Sequence, residues 1–142
     1  MPNFNQLASI AINGGDPVFK NSTGVAIPSG YGVLADTVNK GDANNPPSVV
    51  LPTAAGGVAK TIGVTIEAIP AGGTGRVRLI GAAVCFANAT ITPGTLVQID
   101  DTVGFLGNVK VAASTNEILG KALSDAVAGD PVLVLINPTA HN

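Results

Sequence analysis

This sequence is short of charge. Lys, Arg, Asp and Glu together make up 11% of its 142 residues, where soluble proteins average about 25%. Aromatics stand at 4% with no Trp, and there is a single Cys and a single His. Each shortage excludes a class of chemistry. One cysteine forms no internal disulfide, and Cys85, set in Ala-Ala-Val-Cys-Phe-Ala, is expected to be a small buried thiol rather than a reactive one. His141 is the penultimate residue, in a tail expected to fray, so a Ser/His or Cys/His nucleophilic pair would have to be built from that terminus. Zinc lacks a His/Cys ligand set. The seven cations (Lys20, Lys40, Lys60, Arg76, Arg78, Lys110, Lys121) are scattered along a chain of net charge −2, whereas nucleic-acid binding needs a basic stripe. Long hydrophobic runs are also missing: the apolar stretch from Leu79 to Ala87 falls well short of the ~20 residues of a spanning helix. No enzyme activity, cofactor, metal, nucleic-acid partner or membrane partner is therefore expected. The N-terminus has no basic segment followed by a sustained apolar one, so no signal peptide is read and synthesis in a reducing cytoplasm is expected. Asn21-Ser22-Thr23 and Asn88-Ala89-Thr90 match glycosylation acceptors but carry no weight in that compartment.

What the chain does have is turn chemistry and aliphatic side chains: 18 glycines, 10 prolines and 46% hydrophobic residues. It also repeats itself. The stretch Ile62–Gly81 and the stretch Leu119–Pro138 share an aliphatic-Gly start, an apolar alternation, an Ala-Gly turn and a Val/Leu-rich finish. Upstream of each lies a second matching segment. Ile27, Gly30 and Val33 correspond to Ile91, Gly94 and Val97, and Asp36-Thr37-Val38 recurs as Asp101-Thr102-Val103 if one residue is inserted. Two aligned segments in the same order imply an internal duplication, with halves at about 27–81 and 91–138. The alternation and turn spacing predict an all-β fold, a compact β-barrel or β-sandwich of two similar halves, over residues 25–142. One segment is ambiguous. Ile118, Leu119, Ala122, Leu123 and Ala126 have helical spacing behind a Ser114-x-x-Glu117 capping box. Its partner in the first half is rich in β-branched residues, and Gly120 would cost a helix interior roughly 1 kcal/mol, so strand is favoured.

Residues 1–24 read as an extended N-terminal arm: polar, Asn-rich, with spaced apolar anchors at Phe4, Leu7, Ile10 and Ile12. These anchors have no partner in the periodic pattern and are candidates for contact with a larger partner or a neighbouring subunit. Arg76 and Arg78 share one face of a strand; they form a solvated face or a contact to an acidic neighbour. Asp100-Asp101 is read as a turn, with the Asp101 side chain bonding nearby amides. The run Ala71–Arg76 has glycines but no Gly-Lys-Ser/Thr opening a helix, so it is a hairpin or bulged turn and not a phosphate loop. A weakly charged, aliphatic surface suits a chain whose surface is covered by other subunits in a closed oligomer.

The second half resembles the capsid decoration, or cement, proteins of tailed bacteriophages, over about residues 62–136. The resemblance rests on Gly94, Val97 and Asp100, then Gly107 and Val109, then Leu119, Gly120, Ala122 and Asp125. It ends on Ala128-Gly129-Asp130 with Val132, Val134 and Leu135. Leu119 stands where Ile is usual, and Lys121 and Pro131 are further departures. The resemblance implies a head-stabilising structural protein on the outer surface of the virion, bridging major capsid protein subunits, as a homotrimer and without catalysis. The alternative from the composition is a carbohydrate- or receptor-binding β-module of a tail or cell surface, a function poorly served by so few aromatics.

Overall fold

The computed structural model describes residues 16–39, 41, 45–113 and 117–139. They form ten strands and no helix: β1 Val18–Asn21, β2 Gly32–Ala35, β3 Ser48–Val50, β4 Thr61–Thr65, β5 Thr74–Arg78, β6 Gly81–Phe86, β7 Leu96–Ile99, β8 Val109–Val111, β9 Ile118–Ala122 and β10 Pro131–Thr139. The first five close into a barrel in the order β1-β3-β2-β4-β5, and the last five form a sheet in the order β6-β10-β9-β7-β8. That sheet is brought round on itself by a parallel bridge from Ala87, just past β6, to Val109 of β8. It matches the parallel pairing of β1 with β3 that closes the first barrel.

The duplication expected from the sequence is present strand for strand and register for register. Val18 opposite Arg76 matches Val84 opposite Leu133. Val64 opposite Arg78 matches Lys121 opposite Leu135, and Gly32 opposite Val64 matches Leu96 opposite Lys121. Turn hydrogen bonds agree too: Ile27 N donates to Ile69 O at 2.9 Å as Ile91 N does to Ala126 O at 2.9 Å, and Gly30 N to Thr65 O at 2.8 Å as Gly94 N to Ala122 O at 2.8 Å. Each unit begins one strand earlier than the sequence repeat. β1 lies inside the stretch read as arm, and β6 opens the second unit; the anchors Phe4, Leu7, Ile10 and Ile12 lie outside the described residues.

The alignment of the two turns needs one correction. No residue is inserted, and the counterpart of Asp36 is Asp100, not Asp101. Asp36 Oδ1 accepts the Val38 amide at 2.8 Å, and Asp100 Oδ1 accepts the Thr102 amide at 2.9 Å. Their own amides donate across to Ser48 O and Asn108 O. The recurring Asp-Thr-Val triplet misled because the bend is set by where the carboxylate caps the chain, not by the residues that follow.

The repeated aliphatic-Gly signature has a packing cause. A Cβ at Gly63 would lie 2.1 Å from the Arg78 carbonyl oxygen, and at Gly120 it would lie 2.0 Å from that of Leu135. Only glycine lets β4 and β9 approach the backbones of β5 and β10 so closely. This is why the helical spacing around Gly120 loses to strand. Each barrel has its own core. Phe19, Ile27, Val33, Val49, Ile69 and Val77 fill the first, and their counterparts Cys85, Ile91, Val97, Val109, Ala126 and Val134 are all buried in the second.

Candidate binding surface

The polar groups singled out in the sequence are occupied with structural work. Asp100 is fully buried. It takes the Thr102 amide, a hydrogen bond from Asn88 Nδ2, and the Lys110 ammonium at 3.2 Å. Burial alone would push its carboxyl up, but these donors outweigh it and hold it below the usual aspartate value. Asp101, read as the turn former, instead accepts the Gly57 amide at 2.9 Å and approaches Lys110 at 3.5 Å, pinning the β3–β4 connection to the second barrel. Burial pushes the Cys85 thiol up to about 12, as expected of an unreactive cysteine. Asn21 is buried with its side-chain amide on the Val25, Ile69 and Pro70 carbonyls, so the acceptor motif there is a structural element. In the Ala71–Arg76 turn, Gly72 N donates to Asn21 O and Gly73 N to Pro70 O, leaving neither amide for a phosphate. Among the described residues no group of three or more His, Cys, Asp or Glu side chains could hold a metal ion.

The two arginines are paired within the chain. Arg76 Nε donates to Glu67 Oε2 at 2.7 Å on the open surface. Arg78 grips Asp16 with Nε and Nη2 at 3.1 and 2.9 Å and donates Nη1 to Ala82 O at 2.6 Å. It thereby ties the entry of β1 to the start of β6. Its fork meets a planar carboxylate bidentately, and the Asp16 hydrogen bond raises its own already high pKa. His141 lies outside the described residues.

Beside these paired groups, the described surface carries a cluster of exposed aliphatic side chains. Where the first barrel carries Arg76 and Arg78 outward on β5, the second carries Leu133 and Leu135 on β10, 39% and 44% exposed. Val84 of β6 lies opposite Leu133, and Leu96 of β7 lies beside Lys121 of β9, all exposed. Leu96, Ile118, Gly120, Lys121, Leu135 and Asn137 line a shallow groove of about 230 Å³ across this face. Contiguous exposed apolar side chains of this kind are the mark of a docking surface. Sequence reasoning missed it. The signal was available in the outward positions of the two copies, where charge in one faces leucine in the other.

The barrels meet through unlike surfaces. The side of the first, around Gly30, Gly32, Leu34 and Val64, covers the end of the second, where Ile99, Leu119 and Ile136 are fully buried. Gly32 N donates to Gly107 O at 2.7 Å, and the Thr61 amide to Glu117 Oε2 at 2.7 Å.

No protein-family model matches this chain, and no curated protein matches it. Among solved structures it is similar to the crystal structure of the N base of the head fiber gp8.5 of bacteriophage phi29. The TM-score is 0.56 at 14% identity, over 90% of this chain and 99% of that one. At that identity the likeness establishes a common fold.

Proposed function

We propose that this chain is a structural protein of a bacteriophage head, seated on the outer face of the capsid and bridging major capsid protein subunits as a homotrimer. The observation that carries this reading is the shared fold. It spans nearly the whole of both chains, and the neighbour is, by its own description, the base of a head fiber. The decoration-protein resemblance of the second half points the same way from sequence alone. The exposed leucines and valines of the second barrel supply contact area that a free monomer would not keep without a partner. In this reading the arm anchors Phe4, Leu7, Ile10 and Ile12 contact the capsid. Arg76, exposed beside Glu67, remains accessible to an acidic neighbour, whereas Arg78 is committed to Asp16 and Ala82.

The test is co-sedimentation of the purified protein with undecorated heads, run beside a glycan-binding assay. Saturable pelleting with heads and no glycan retention is the expected result. Glycan retention without head binding would replace this reading with the receptor-binding module.

A further inference from the structure

We propose that the exposed face of β7, β9 and β10 is the docking site for the open end of the first barrel of a second copy of this chain. It repeats between chains the contact that joins the two barrels within one. The inference deepens the self-assembly part of the proposed function by naming its two surfaces.

The internal contact is heterologous: the side of one barrel on the end of the other. Because the two units correspond strand for strand, each chain holds one further side and one further end. Among the described residues these lie more open than the pair in contact, although Gln98, the counterpart of Leu34, is buried. At the covered side a Cβ on Gly30 would lie 2.9 Å from Val84 O, whereas the same atom on Gly94 meets nothing within 4 Å. Val64 is fully buried and its counterpart Lys121 is exposed. At the covered end Ile99, Leu119 and Ile136 are fully buried, whereas their counterparts Ala35, Ile62 and Leu79 are half-buried.

The residues at the two surfaces are also matched in size. Inside the chain, Gly32 makes room for Ile99, whose Cγ1 would lie 2.5 Å from a Cβ on Gly32. At the free surfaces the bulk is exchanged: Leu96 stands for Gly32, and Ala35 stands for Ile99. A protruding side chain is set against a small one in both cases, with the proposed pair larger by a single methyl group, so the bulk is exchanged with little change in total volume. A heterologous contact with one copy of each surface per chain continues from chain to chain, and where its rotation closes, as the proposed homotrimer requires, it ends in a ring.

Paired cysteines test the contact on purified full-length protein, without heads, so its outcome is independent of capsid binding. In Ala35→Cys/Leu96→Cys, mild oxidation should give a ladder of covalent oligomers on a non-reducing gel, ending in one closed species. Cys85 is buried and does not compete. Ala35→Cys alone and Leu96→Cys alone should give no ladder. A double variant that yields only monomer, or no more oligomer than the single variants, overturns the proposal. A second variant guards against a folding artefact. Leu96 is already exposed, so Leu96→Asp should keep its thermal melting profile while weakening self-association in sedimentation at least tenfold. Unchanged self-association in Leu96→Asp contradicts the proposal as well.

Discussion

Phe19 and Ile69 converge on Gly75 inside the first barrel, while Cys85, Ala126 and Val132 hold the same three positions in the second. A Cβ on Gly75 would sit 2.5 Å from Ile69 Cγ1, so the glycine is demanded by the isoleucine. The second barrel inverts the arrangement, with a valine where the glycine was and an alanine where the isoleucine was. Gly75→Val should therefore destabilise by about 1–3 kcal/mol through overpacking, and Ile69→Ala by about 2–5 kcal/mol through a cavity. Together they recreate the second barrel's solution. The double variant should lose less than the sum, with a coupling of about 0.5–3 kcal/mol measured in denaturant titrations. Strict additivity would show that the two positions do not share one space. From sequence alone the turn-forming carboxylate is placed at Asp101 and Asp100 is missed; the burial and bonding of Asp100 depend on Asn88 and Lys110, brought to it from the end of β6 and from β8. Its folded-state pKa lies below the ordinary aspartate value of 3.8, as does that of its counterpart Asp36, where the Asn39 side chain and the Val38 amide are the leading donors. A depressed folded pKa stabilises above the unfolded value, and that contribution is lost as pH falls through the folded value. Wild-type stability should thus exceed that of Asp100→Asn at pH 7, with the gap shrinking as pH drops below about 4. A gap that is constant with pH would remove the carboxylate's charge from the account.

At the scale of elements, β7, β8 and β10 were legible, since Val97, Val109, Val132 and Val134 alternate or cluster in short runs bounded by glycine, whereas β9 carried a competing helical spacing. β1 was not, because Val-Phe-Lys-Asn is four residues long, sits among turn signals, and becomes a strand only by lying between β3 and β5. Its entry is fixed by the Arg78–Asp16 pair, a contact across the fold that no local pattern encodes. Arg78→Ala should cost about 1–2 kcal/mol, because it removes charge-assisted bonds that are only partly shielded from water. Removal of residues 1–12 leaves Asp16 in place. Thermal melting of that truncation should match the full chain, while its binding to heads falls. A truncation that binds heads with unchanged affinity would take the anchors Phe4, Leu7, Ile10 and Ile12 out of the capsid contact. The exposed leucine face stayed hidden for a related reason: hydrophobicity alone does not say whether Leu96, Leu133 and Leu135 point inward or outward. Only the pairing of the two units reveals that they point outward.

For the whole molecule, duplication has produced two similar units in unequal surroundings: among the described residues Ile99, Leu119 and Ile136 of the second are fully buried, while their counterparts Ala35, Ile62 and Leu79 in the first are half-buried. In the proposed reading that asymmetry suits a protein that completes its surfaces in an assembly, as the scarcity of charge does. Weak single contacts suffice there, since a symmetric oligomer on a repeating lattice multiplies them. The most direct measurement is a cryo-electron microscopy comparison of heads with and without the bound protein. The account predicts added density outside the shell, over the junctions between major capsid subunits at three-fold or quasi-three-fold positions, into which the two-barrel fold fits. Heads that gain no external density at saturating protein, or that gain isolated single copies away from every three-fold position, would contradict it.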